Sequence, residues 1–171
     1  CAKKLHPKMQ IIHHLGILTV RKNTDENAGF LLSNKNGGYC SFFNRQPSRY
    51  HGIFYFEPAS MRMYKLIESI EVAGNSGVEA LGNGFYYAER KARELSEKFF
   101  FPRNFNSVLY ELDSGSEVDL ILDCKESYDS REWGRHYEIS EEGGIAIVKF
   151  TKKTDSKTEN AADPGRPRCR C

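Results

Sequence analysis

The run Ser48-Arg49-Tyr50-His51-Gly52-Ile53-Phe54 places side by side a planar fork of donors, a flat ring with a hydroxyl, and an imidazole that donates and accepts. That mixture suits the ring faces and hydroxyls of a polyhydroxylated ligand, and Gly52 directly afterwards permits a close backbone approach. The competing reading is structural: Arg49 and His51, two apart on a strand, point to one face and hold a neighbouring loop or domain. A second cluster, Asp123 to Tyr137, sets Glu126, Asp129, Arg131, Glu132, Arg135 and His136 around the single tryptophan, Trp133. Trp133 and Tyr137 offer surfaces on which a sugar ring docks. Alternatively, Arg131 and Arg135 pair with Glu126, Asp129 or Glu132 to order a sheet-edge loop, at about 0–1 kcal/mol per exposed pair.

Other chemistries find less support. Gly82-Asn83-Gly84 starts like a dinucleotide loop but has Tyr87 where the third glycine belongs, so it reads as a turn. The adjacent His13 and His14 point to opposite faces of a strand, which argues against joint metal ligation. No Gly-x-Ser-x-Gly nucleophile elbow occurs. The five cysteines have no paired metal-site spacing, and Cys169-Arg170-Cys171 is too tight for one; reduced thiols, no metal and no cofactor are the expectation.

A chain of 171 residues supports one domain with an ordinary core. The net charge of +2 comes from the end: from Thr151 onward six Lys or Arg face three Asp or Glu, leaving 19 basic and 20 acidic residues in the body. A nucleic-acid binder carries its basic surface within the fold, so nucleic acid is not an expected partner. No run reaches the roughly 20 apolar residues that span a bilayer, and Cys1 to Met9 lacks the pattern of a signal peptide. The expectation is a cytoplasmic protein with no membrane partner.

The elements that must position these residues read mostly as strands. Met9 to Val20 fits two short strands broken near Gly16. Gly29 to Leu32 and Tyr39 to Phe43 form a hairpin around Ser33 to Gly38, and Tyr50 to Phe56 is an aromatic run closed by Pro58. From Met61 to Val72, Tyr64, Leu66, Ile70 and Val72 share one face, with Lys65 and Ser69 on the other. Tyr86 to Phe99 has Glu89 and Arg93, Arg90 and Glu94, and Glu94 and Lys98 each four apart, which predicts a short helix near residues 86–98, with a charged loop as the alternative. Val108, Tyr110 and Leu112 pair across Asp113 to Ser116 with Val118, Leu120, Leu122 and Cys124. A second hairpin joins Tyr137–Ser140 to Ile145–Phe150 through Gly143-Gly144. The predicted class is mainly β: an antiparallel, supersandwich-like β-sandwich over residues 1–152, whole or incomplete, followed by a disordered polar tail over 153–171 that lacks large apolar side chains.

Gly37-Gly38-Tyr39-Cys40-Ser41, followed by Arg49-Tyr50-His51-Gly52-Ile53-Phe54, resembles the N-terminal domain of archaeal and bacterial glycogen debranching enzymes of the amylo-α-1,6-glucosidase type. Phe30-Leu31-Leu32-Ser33-Asn34 and Lys65-Leu66-Ile67-Glu68-Ser69 are similar to further segments of that family, and the likeness spans roughly Gly29 to Lys152. The spacer before Arg49 is shorter here, and Ser48 stands where many members have a second basic residue. The resemblance implies a non-catalytic sandwich that packs on a C-terminal helical-barrel glucosidase domain and helps to shape an α-glucan groove. It also implies that the acid and base lie in that barrel, outside this chain, so no residue here is expected to be catalytic. Arg49, Tyr50, His51, Trp133, Arg135, His136 and Tyr137 are then substrate-binding or interdomain residues. Two alternatives stay open: a free-standing carbohydrate-binding module, and a truncated or frameshifted product without activity. A sandwich lacking its barrel is also expected to self-associate through an uncovered face.

Overall fold

The computed structural model describes residues 8–74, 77–93, 95–129, 131, 134–152 and the backbone of 168–170. Its strands, in chain order, are β1 (Met9–Leu15), β2 (Leu18–Thr24), β3 (Gly29–Ser33), β4 (Tyr39–Phe43), β5 (Gly52–Glu57), β6 (Arg62–Val72) and β7 (Ala80–Asn83). There follow β8 (Tyr87–Ala92), β9 (Leu95–Phe100), β10 (Leu109–Leu112), β11 (Val118–Glu126), β12 (Arg135–Glu142), β13 (Ile145–Lys152) and β14 (Arg168–Arg170). One six-stranded sheet has the order β10-β9-β8-β7-β1-β2, a second β14-β11-β6-β5-β4-β3, and β12 and β13 form a separate hairpin. The two large sheets bury Phe30, Phe42, Ile53 and Ile70 of one against Met9, Leu81, Ala88 and Phe99 of the other. The protein is therefore a mainly-β sandwich with no helix among the described residues.

Turn chemistry accounts for the hairpins the sequence announces. Gly16 has φ of 69° at the first of two residues between the paired Leu15 and Leu18, the position that a type II′ turn reserves for glycine. Gly143 and Gly144 both have positive φ between the paired Glu142 and Ile145, as a type I′ turn requires. Asn34 caps the β3–β4 turn, its Oδ1 accepting from the backbone N–H of Asn36 and of Gly38 at 3.0 Å. The glycine-asparagine segment that carries part of the family resemblance is thus a structural turn.

Several expectations are corrected. The segment 86–98 is a β-hairpin, β8 and β9, and the charges that looked like helical neighbours are cross-strand partners: Glu89 faces Lys98 and Arg90 faces Glu97. Tertiary pairing overrides the i, i+4 pattern because each such pair supplies only about 0.2–0.5 kcal/mol to a helix. Arg93, at φ of 50°, makes the turn. The expected pairing of 108–112 with 118–124 does not form; β10 lies beside β9 and β11 beside β6, in different sheets. Alternation fixes which face of a strand is buried but not which strand lies beside it, and Val108, Tyr110, Val118 and Leu120 all pack on the common core. One ladder is parallel, β1 with β7, within an otherwise antiparallel architecture. Of the predicted tail, only Arg168–Arg170 lies among the described residues, as an edge strand on β11; backbone pairing of this kind needs no apolar side chains.

Candidate functional site

The second sheet is irregular where β6 meets its neighbours. Ile53 and Phe54 of β5 face Ile67 and Lys65, so Leu66 is an extra residue. On the other side Ile121 faces Ser69 and Leu122 faces Ile67, which leaves Glu68 extra, and a further shift follows between Leu122 and Lys125. Each bulge resets the two-residue alternation. The expected faces of Lys65 and Leu66 are therefore exchanged: Lys65 is buried at 4 % exposure, and Leu66 is exposed at 38 %.

The bulges gather a buried ionic cluster. Asp123 is fully buried; its Oδ1 accepts from Arg135 Nη1 at 2.7 Å, and its Oδ2 lies 2.7 Å from Lys125 Nζ and 3.7 Å from Lys65 Nζ. Lys65 also pairs with Glu68 and stands 5.6 Å from the centre of the Phe54 ring. Arg135 thus pairs with Asp123, a partner the sequence analysis did not assign to it. Of the expected partners, Asp129 takes Arg131 at 3.0 Å and also Lys152, while Glu126 takes Arg62 at 3.6 Å.

These contacts fasten the β12–β13 hairpin over the outside of the sheet. The Tyr137 ring meets Phe150 at a tilt of 47° and 5.3 Å, and its hydroxyl oxygen accepts from the backbone N–H of Cys124 at 3.0 Å. His136, next along β12, is 64 % exposed and lies 3.6 Å from Glu138. Trp133 lies outside the described residues. Between the hairpin and the sheet runs a cleft of about 360 Å³, walled by Tyr55, Tyr64, Leu66, Leu122, Val148 and Phe150, with Lys65, Lys125 and Cys124 also lining it. Burial pushes the Cys124 thiol up to about 11, so it is no nucleophile at neutral pH. The described lining contains no carboxylate, whereas glycoside hydrolysis usually needs two flanking the sugar.

The Arg-Tyr-His-Gly segment is divided by the structure. Arg49 and Tyr50 are exposed on the turn before β5, the Arg49 guanidinium 4.7 Å from the ring centre of Tyr50 and donating to its hydroxyl at 2.5 Å. His51 is buried at 8 % exposure; its Nδ1 accepts from the Phe43 backbone N–H at 3.1 Å and its ring meets Phe42 edge-on at 5.2 Å. Arg49 and His51 therefore do not share a face, because they precede the strand and do not alternate along it. Gly52 has φ of 120°, and a Cβ there would stand 2.1 Å from the Ile67 carbonyl oxygen, so its close approach is to β6.

Burial first, then the nearby Lys65 and Arg90 charges, lowers the His51 pKa from 6.5 to about 4. Between those values the unfolded chain binds a proton that the folded chain refuses, so the stabilising effect is complete above pH 6.5 and is lost as pH falls to 4. The loss is on the order of 3 kcal/mol. His51→Asn, which offers Oδ1 in place of Nδ1, should flatten this part of the stability profile in urea titrations; a profile parallel to wild type from pH 7 to 4 would refute the assignment.

A second surface lies at one end of the first sheet. Tyr87 and Phe100 are cross-strand neighbours with ring centres 6.0 Å apart, Tyr86 stacks on Phe100 at 6.4 Å and 25°, and His14 stacks on Tyr87 at 6.3 Å and 25°. Tyr86 is 71 % exposed and Phe85 77 %. A Cβ at Gly84 would meet the Tyr87 ring at 2.2 Å, so glycine there leaves room for the row. Sequence reasoning missed this platform; its signal was the Phe85-Tyr86-Tyr87 run, absorbed into the expected helix. Beside it, at the β1–β2 turn, Leu15, Ile17 and Leu18 are also exposed.

Among the described residues no group of three or more His, Cys, Asp or Glu is placed to hold a metal. Comparison of the chain with known protein families, curated proteins and solved structures finds no match.

Proposed function

We propose that this chain is a non-catalytic β-sandwich domain that binds α-glucan through the aromatic row His14-Tyr87-Phe100-Tyr86, in the manner of an accessory domain of a glycogen debranching enzyme. The observation that carries the reading is the row itself: Tyr86 exposed and His14, Tyr87 and Phe100 half-buried, their rings in contact, with two phenol hydroxyls and an imidazole at hand. Flat apolar faces beside a few donors and acceptors match a pyranose, which has apolar C–H faces and a rim of hydroxyls. The absence of a carboxylate from the described cleft lining and the ion pairs of Glu126 with Arg62 and of Asp129 with Arg131 support a binding role over hydrolysis. The exposed Leu15, Ile17 and Leu18 favour a neighbouring domain against the same end of the sheet, and a helical-barrel glucosidase is the partner that the family resemblance implies.

Affinity electrophoresis in glycogen-containing gels tests this reading. The wild-type chain should be retarded, and Tyr86→Ala should weaken retardation by about twofold to tenfold, as loss of an aromatic contact worth roughly 0.5–1.5 kcal/mol predicts. Incubation with branched glucan should release no glucose. Retardation that survives Tyr86→Ala and vanishes in Trp133→Ala would move the sugar site off this row. No retardation of the wild type would remove glucan contact altogether.

A further inference from the structure

We infer that the cleft beneath the β12–β13 hairpin is a second, independent site, which binds one amphipathic carboxylate with its alkyl chain along the apolar walls and its headgroup on Lys125. A volume of about 360 Å³ falls within the range of small-molecule pockets, roughly 300–1,000 Å³. The walls select for hydrocarbon: Tyr64, Leu66, Leu122, Val148 and Phe150 present mostly carbon, and the few polar groups cannot satisfy the hydroxyl rim of a sugar.

Charge selects the headgroup. The charged side chains lining the described cleft are Lys65 and Lys125, and the described cluster behind it sets Lys65, Lys125 and Arg135 against Asp123 and Glu68. The two ammonium groups on the described lining attract an anion entering the cleft and repel a cationic headgroup. Lys65 is nearly fully buried, whereas Lys125 is 19 % exposed. An ammonium carries three donors, so Lys125 can keep its ion pair with Asp123 and still donate to a guest carboxylate.

Dodecanoate below its micelle concentration is the probe, titrated into the full chain by calorimetry and by side-chain NMR. The expected result is one saturable site, with shifts confined to residues such as Tyr64, Leu66, Val148 and Phe150. Lys125→Gln should weaken binding by about tenfold or more, as expected for a lost charge-assisted hydrogen bond, while Lys125→Arg keeps most of it. Dodecanol, with the same chain and no charge, should bind about as weakly to the wild type as dodecanoate binds to Lys125→Gln. Binding of dodecanol as tight as dodecanoate, indifference to Lys125→Gln, shifts scattered over the surface, or no saturable binding would each overturn the site. Should Lys125→Gln fail to fold, Val148→Asp places a carboxylate on the cleft wall and must abolish binding; retained binding overturns the proposal.

Discussion

Asp123→Ala should lower the unfolding free energy by about 3–5 kcal/mol, the range expected when one partner of a buried ionic pair is removed. Asp123 is wholly buried and holds Arg135 and Lys125 at 2.7 Å, with Lys65 at 3.7 Å. Alanine would leave these cations facing one another with Glu68 as the remaining carboxylate of the described cluster. Asp123→Asn keeps the shape and removes the charge, and should recover little of the loss. The effect is also local: Arg135 is one of the fasteners of the β12–β13 hairpin, so amide hydrogen exchange along Arg135–Glu142 and Ile145–Lys152 should accelerate more than in the two large sheets. Urea unfolding combined with hydrogen exchange measures both parts. A loss below about 1 kcal/mol, typical of exposed pairs, would mean that water reaches the cluster.

Glu97→Leu should be comparably damaging for a different reason. Glu97 is 1 % exposed in the core between the sheets, where Arg90 donates to both of its carboxylate oxygens and the Tyr110 hydroxyl donates at 2.8 Å. The same guanidinium donates across to the Ile70 carbonyl at 3.2 Å and lies 5.4 Å and 5.2 Å from the Phe42 and Phe99 ring centres. Arg90 therefore joins the two sheets, and removing its counter-charge should cost about 3–5 kcal/mol. The double variant Arg90→Leu with Glu97→Leu should recover much of that, because well-packed apolar replacements of a buried pair are often neutral or stabilising. A double-mutant cycle with a coupling energy near zero would show that the pair does not act as a unit.

How far the sequence foretold these features depended on whether the signal was local. The Gly16 and Gly143-Gly144 turns, the β3–β4 hairpin and the strand nature of 108–126 were legible, since turn glycines and alternation are written in adjacent residues. The β8–β9 hairpin was not, because Arg90 and Glu97 occupy positions that alternation reserves for apolar side chains, and their charges sit at spacings a helix also uses. The exchange of Lys65 and Leu66 was equally hidden, as a bulge is a property of two strands in register and leaves no mark on one of them. The candidate site fared the same way. Arg135 and Tyr137, expected to touch substrate or a neighbouring domain, make contacts that fasten a hairpin within this one, and His51 serves the core. The aromatic row at Tyr86 was missed because its rings come from β1, β8, β9 and a turn, which only the sheet brings together.

The parallel pairing of β1 with β7 bears on how the chain is born. Gln10 lies beside Ala80, and all of β3 to β6 intervenes in the chain. During synthesis the first hairpin leaves the ribosome long before its neighbour exists, and an isolated two-stranded ribbon is marginal at best in water. The first sheet therefore closes late, after much of the second has had time to assemble, and such distant partnerships are slow to form. Until then Met9, Ile11 and Ile12 stay uncovered, and that interval is when a nascent copy is most open to capture by a chaperone or by another copy of itself.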